Sequence, residues 1–335
     1  MAKEEHPFAP YVRILGRGKN LTRSLTIEEA EAAMAMILRG EALPEQLGAF
    51  LMLLRVKEES PEEIAGFVRA ARNEFTLPSP PCQVDLDWSS YAGKRRQLPW
   101  FLLAALLLAQ SGLRVFMHGA EGHTPGRLYT RETLEALDIP IASTLAESAA
   151  HIEARNFAYL PLAQLSPKLH EVIELRPVMG LRSPVHTIAR MLNPFGAPVM
   201  LQGIFHPNYM EIHQQAAVLL GQKHMCVFRG EGGEIERRPS KPTEVRTVVD
   251  GVAGSEDWPP LLSDAVQPTD KEMNIERLKA VWTGEADDPY AEAAITGTLA
   301  IALKTLGRAD SIADAQDKAE AMWRNRDRAH LGLAA

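Results

Sequence analysis

Cysteine is nearly missing from this sequence: Cys82 and Cys226 are the only two in 335 residues. Two distant thiols suit buried, reduced and inert side chains better than a disulfide framework or a cysteine-ligated metal. Long apolar runs are missing too. The longest, Leu98–Ala109, falls well short of the roughly 20 residues that cross a bilayer, so no membrane association is expected. Met1–Pro10 is charged and has no apolar stretch, unlike a secretory leader, and a cytoplasmic protein is the expected reading. There is no internal repeat and no low-complexity tract. Positive charge is in deficit: 36 Lys and Arg stand against 43 Asp and Glu, for a net charge of −7. The total alone speaks against a nucleic-acid partner, although the distribution of charge counts for more than its sum.

What is present is the balance of an ordinary globular protein, 46% hydrophobic and 24% charged, on a chain long enough for one large or two unequal domains. The first third reads as helices. Thr26 and Glu29 form a capping box, apolar residues recur at Ala33, Met36 and Ile37, and Gly40 ends the helix. A second helix fits Pro44–Val56, and a third begins at Ser60-Pro61, with Glu63 completing another box, and runs to about Asn73. Pro78-Ser79-Pro80-Pro81 reads as an extended linker. Short strands then alternate with helices. Strands are expected at Gln83–Asp87, Arg114–Met117, Ala158–Leu160, Val199–Ile204 and Met225–Arg229. Helices are expected at Pro99–Gln110, Thr130–Leu137, Ser166–Glu174 and Pro207–Leu220. The pattern predicts a helical domain over 1–77, completed by helices from later in the chain, and an α/β domain over 82–335 with a mostly parallel central sheet.

This layout resembles the anthranilate phosphoribosyltransferase family, whose fold is shared with the pyrimidine nucleoside phosphorylases. Met117-His118-Gly119, followed by Thr133-Leu134-Glu135-Ala136-Leu137, is similar to its Lys-His-Gly-Asn segment and the Leu-Glu-Ala-Leu behind it. Gly180-Leu181-Arg182, Asn193-Pro194-Phe195-Gly196-Ala197 and Phe205-His206-Pro207 resemble its Leu-Gly-x-Arg, Asn-Pro-x-x-Ala and Tyr-His-Pro stretches. The motifs that carry the family's chemistry depart. Its Gly-Thr-Gly-Gly-Asp diphosphate loop falls on Trp88-Ser89-Ser90-Tyr91-Ala92, without a glycine, and its Asn-Ile-Ser-Thr falls on Leu98-Pro99-Trp100-Phe101. The lysine and asparagine around His118 are gone. The metal-binding Asp-Glu pair falls on Gly233-Glu234, leaving one carboxylate where magnesium diphosphate chemistry wants two. One of two acceptor-site arginines remains, Arg176, followed by Pro177. The resemblance thus implies a degenerate substrate pocket made of Ser89, Ser90, Tyr91, Gly93, His118, Gly119, Arg176 and His186. No catalytic residue, metal site or cofactor is expected, with magnesium needed only if the chain is an enzyme after all.

The substitutions are similar to those of the YbiB-type branch. Leu15-Gly16-Arg17-Gly18-Lys19-Asn20, Ser90-Tyr91-Ala92-Gly93-Lys94-Arg95-Arg96-Gln97 and Arg182-Ser183-Pro184-Val185-His186-Thr187 carry that resemblance. It implies a homodimer that binds DNA or RNA, single-stranded or without sequence preference. Local charge agrees: Tyr11–Thr26 has no acid, and Trp88–Arg131 has one, Glu121. The expected polyanion contacts are Arg17, Lys19, Lys94, Arg95, Arg96, Arg127, Arg182, Arg190, Arg237, Arg238 and Lys241, forming a basic groove. Lys94–Arg96 is the leading cluster and Arg237–Lys241 the next. Trp88 and Tyr91 are candidate stacking platforms, whereas Trp100, in an apolar helix, reads as core. Gly230–Glu234 reads as a polar turn, with a metal held by Glu231, Glu234 and Glu236 as the less favoured reading. The alternative is a phosphoribosyltransferase with an altered acceptor and diphosphate site.

Overall fold

A computed structural model describes residues 4–18, 20–122, 124–263 and 268–331. The chain opens with α1 (Ala9–Gly16), α2 (Ile27–Leu38), α3 (Pro44–Lys57) and α4 (Pro61–Asn73). Both capping boxes form. The Glu29 N–H donates to Thr26 Oγ1 at 3.2 Å and the Thr26 N–H to the Glu29 carboxylate at 2.9 Å. Ser60 and Glu63 repeat the exchange at 3.3 and 2.8 Å. Glu63 is buried and also accepts from the Leu25 N–H at 2.9 Å and Lys57 Nζ at 2.7 Å, so one capping residue joins three segments of the bundle.

The α/β part follows as β1 (Leu86–Ser90), α5 (Phe101–Gln110), β2 (Val115–Gly119), α6 (Thr130–Ala136), α7 (Leu145–Arg155), β3 (Phe157–Pro161), α8 (Leu162–Leu165), α9 (Pro167–Glu174), α10 (Arg176–Met179), α11 (Val185–Arg190), β4 (Val199–Ile204), α12 (Met210–Leu219), β5 (His224–Arg229), β6 (Thr243–Val249), β7 (Val252–Trp258), α13 (Glu276–Thr283), α14 (Pro289–Thr305) and α15 (Ile312–Arg324). The strands pair in the order β3-β2-β1-β4-β5-β6-β7; the first five are parallel and the last two antiparallel. Alternate residues serve opposite faces. Phe116 packs with the helical bundle, while Val115 and Met117 pack with α5 and the C-terminal helices. Helix α5 is buried from Phe101 to Ala109 because the sheet covers one side and α14 another. Helix α4 packs on α11 and α12. Arg69 donates to the Leu219 carbonyl, and Arg72 to those of Met191 and Leu192, which ties the bundle to the α/β part.

Differences from the expected elements have local causes. β1 runs three residues later than expected because Ser89 and Ser90, polar on paper, are buried in the strand, and the Ser90 hydroxyl pairs with Thr130 Oγ1 at 2.6 Å. The helix expected from Pro207 is divided into a short 3-10 turn and α12. The β6–β7 hairpin was not expected, although its turn carries the Asp-Gly signal. Asp250 and Gly251 take φ of 51° and 79°, the left-handed geometry that a tight hairpin needs. Helix α7 was not expected either; Thr144 caps it through the Glu147 N–H.

Helices α2 and α4 pack on each other, and Gly66 permits their close approach. A Cβ there would lie 2.3 Å from the Ile27 carbonyl oxygen and 2.7 Å from Ala30 Cβ. Glycine to alanine inside a helix ordinarily gains about 0.5–1 kcal/mol. Overpacking of about 1–3 kcal/mol outweighs that gain here. Gly66→Ala is expected to lower stability in urea denaturation, and an unchanged or raised midpoint would contradict this packing.

Candidate functional site

The chain passes from β1 to β2 and β3 on one side of the sheet, then to β4 and β5 on the other, so the topology switches between β1 and β4. The loops beyond the C-terminal ends of these strands meet there, where open α/β sheets place their ligands. Their contents differ from a pocket. The Tyr91 hydroxyl and His118 Nδ1 are 2.7 Å apart, and His118 Nε2 lies 3.3 Å from Asp87 Oδ2. Phe116 stacks on the His118 ring. Burial, with the Asp87 charge next, pushes the Tyr91 phenol well above its usual range. Gly119 is present because β1 crosses it closely; a Cβ would sit 2.1 Å from the Ser90 carbonyl oxygen.

Two carboxylates close the space from the other side. After β5 the chain turns through Gly230–Gly233 and becomes extended at Glu234, with φ −86° and ψ 166°. The chain then turns at Ile235, the Glu236 N–H donating to the Glu234 carbonyl at 2.8 Å, and both carboxylates reach the loop after β1. Glu234 Oε1 accepts the backbone N–H groups of Ala92 and Gly93, each at 2.6 Å. Glu236 pairs with buried Lys94 and accepts the Phe101 N–H, at the start of α5, at 3.0 Å. Burial raises the Glu236 carboxyl to about 7, with Lys94 pulling the other way. Arg127 Nη1 donates to the carbonyls of Ala92, Gly93 and Gly232 and so staples the two loops together.

The expected cations divide into two groups. Lys94 is 1% exposed and held by Glu236; Arg237 is 1% exposed, lies over the Trp258 ring and donates to the Pro259 carbonyl. Neither side chain reaches solvent, which overturns their expected role as polyanion contacts, because a charge run in sequence does not reveal a carboxylate 142 residues away. Arg190 is half-buried over the Tyr91 ring, bonded to the carbonyls of Gly203 and His186, and burial pulls its guanidinium down. Trp88 and Tyr91 are buried and cannot stack on a base; Trp100 is core, as expected.

Arg95, Arg96 and Arg182 are exposed, and Arg127, Arg176, Arg238 and Lys241 are partly so. Arg176 Nη1 and Arg182 Nη2 both donate to Thr124 Oγ1, at 2.9 and 3.0 Å. Arg17 stands exposed at the end of α1, and Lys19 lies outside the described residues. His186 and Ser89 are buried. Sequence reasoning missed Arg55, which bonds the Tyr209 hydroxyl at 3.1 Å and adds positive charge at Arg182. It also missed Arg229, exposed and lying over the Phe205 ring at 5.9 Å. Both cysteines are buried free thiols, and burial pushes Cys226 up to about 12.

A helical bundle set against a doubly wound sheet, with its loops meeting at the β1–β4 switch, defines the class of transferase-fold proteins built from these two parts. The chain belongs to the glycosyl transferase family: its helical bundle domain matches residues 9–74 and its a/b domain residues 101–326. It is 27% identical over 317 residues to the uncharacterized protein YbiB of Escherichia coli, covering 90% of this chain and 95% of that one. It is 32% identical over 242 residues to the anthranilate phosphoribosyltransferase of Symbiobacterium thermophilum, covering 72% and 69%. The solved anthranilate phosphoribosyltransferase of Thermus thermophilus superposes with a TM-score of 0.77 at 22% identity, covering 95% and 94%. The Saccharomyces cerevisiae enzyme in complex with PRPP and Mg gives 0.75 at 16%, covering 96% and 94%.

The magnesium that such a fold implies does not fit these residues. Gly233 has no side chain, and Glu234 is turned inward onto backbone N–H groups. Among the described residues, no three His, Cys, Asp or Glu side chains converge.

The Lys94–Glu236 pair predicts a sharp non-additivity. Lys94→Met strands a buried carboxylate and should cost about 3–5 kcal/mol, whereas Lys94→Met/Glu236→Leu should recover at least half of that stability. Guanidinium denaturation of both variants checks this; equal destabilisation would mean that the two charges do not depend on each other.

Proposed function

We propose that this chain is a non-catalytic, sequence-nonspecific nucleic-acid-binding homodimer that holds a polyanion along the basic rim of its old substrate cleft. The convergence of Arg176 and Arg182 on one hydroxyl carries the reading. After burial, the influences on Arg182 are the guanidiniums of Arg176 and Arg127, the Tyr129 hydroxyl, which alone opposes the shift, and the Arg55 guanidinium; together they pull its pKa down. Clustered like charge costs stability, and phosphate oxygens relieve that cost through charge-assisted hydrogen bonds. Arg95 and Arg96 are exposed in the loop after β1, and burial and nearby Arg229 lower Arg238, with Glu231 opposing. Phe205, 49% exposed beneath Arg229, is the aromatic that offers a base a stacking face.

Transfer of phosphoribose to anthranilate is the weaker reading. The diphosphate loop is filled by Trp88 and Tyr91, its amides are taken by Glu234, and the metal position lacks a carboxylate.

Arg55→Ala/Arg176→Ala/Arg182→Ala leaves the Arg127 staple in place. It is expected to weaken binding of a single-stranded oligonucleotide and to make the slope of log affinity against log salt shallower by roughly 0.7 for each phosphate that the variant no longer neutralises. Parent-like affinity and slope in a folded variant would remove this rim from the binding surface.

The homodimer would form over the apolar groove of about 520 Å³ between α2–α3 and α9–α10, where Leu47, Val172 and Leu175 line the floor and Val178 is 82% exposed. Light scattering should report a dimer for the parent and a monomer for Val178→Asp. A monomeric parent at micromolar concentration would sink the dimer.

A further inference from the structure

The Glu234 contact is not explained by polyanion binding at the rim. Two successive backbone N–H groups, Ala92 and Gly93, point at one oxygen, the arrangement by which a loop binds a phosphate oxygen. Gly93 sits at φ 68°, which lets its N–H turn beside that of Ala92. Here the oxygen belongs to the chain itself.

The placement is built. A Cβ on Gly230 would lie 1.6 Å from the Glu234 carbonyl oxygen, and one on Gly203 would lie 2.3 Å from the same carbonyl group. Two glycines on different strand ends therefore seat the Glu234 backbone, and the Arg127 staple fixes the loops on either side. The contact is electrostatically matched: a carboxylate against amide donors out of solvent makes charge-assisted bonds, about twice the strength of neutral ones. The other carboxylate oxygen, Oε2, accepts no hydrogen bond from the described residues. The carboxylate is thus held through the loop amides by one oxygen, as a competing oxyanion would be.

We propose that Glu234 is a built-in pseudo-ligand that occupies a phosphate-binding amide pair and makes this cleft refuse free diphosphates. It is a specificity-determining residue: with its carboxylate in place the amides have no capacity for a second anion, and like charge repels one that approaches. A polyanion then has the rim as its remaining landing surface. The inference stands on the Glu234 geometry and is independent of whether the rim binds nucleic acid.

The test is calorimetric titration with inorganic pyrophosphate, without metal, of the full-length parent, Glu234→Gln and Glu234→Ala, each with its fold checked by circular dichroism. The parent is expected to show no saturable binding at millimolar pyrophosphate. Glu234→Ala should bind at least tenfold more tightly than the parent. Glu234→Gln, whose neutral carbonyl still fills the amides, should fall between them. Should Glu234→Ala fail to fold, Glu234→Gln carries the test, with a gain of at least threefold expected. Pyrophosphate binding that is equal in the parent and the folded variants, or absent from all of them, overturns the proposal.

Discussion

Two carboxylates on the short turn segment after β5 hold this molecule's cleft in its present form. Glu234 takes the amides of the loop after β1, and Glu236 takes Lys94 from that loop and the first N–H of α5. The loop between β1 and α5 is thereby pinned at three points by residues about 140 positions later. Everything around it follows from the pinning. Tyr91 is drawn in to meet His118, Trp88 stacks with Phe101 under the start of α5, and Arg127 can reach carbonyls from both loops at once. A glycine-rich loop leaves space above its amides for a ligand; this one fills that space with side chains and a carboxylate.

The same closure separates the cations. Lys94 and Arg237 serve the interior, one paired with a carboxylate and the other lying on Trp258. Arg55, Arg176 and Arg182 instead donate to the hydroxyls of Tyr209 and Thr124 at the cleft's rim, although the chain carries net charge −7. Other cations are neutralised by acids brought from along the chain: Asp270 and Asp288 both bind Arg277. Net charge governs solubility and long-range repulsion, whereas contact within about 8 Å is governed by local charge at physiological salt.

Much of the fold was legible because its signals are local. Thr26 with Glu29, and Ser60 with Glu63, set helix starts through contacts three residues apart. The all-apolar Leu102–Ala109 stretch declared a helix buried on every side. The Asp250-Gly251 turn and the Thr144 cap are signals just as local.

The chain's own pattern therefore determined most of the elements and the mostly parallel sheet, which rest on local signals, and the family resemblance made the loss of the glycine loop legible. Tertiary structure alone decided which charges are available. Lys94 and Arg95 are adjacent in sequence and alike in charge, yet one is buried on Glu236 and the other faces solvent. A buried ion pair depends on a partner brought from far along the chain, and desolvation makes that pairing obligatory once the lysine is enclosed.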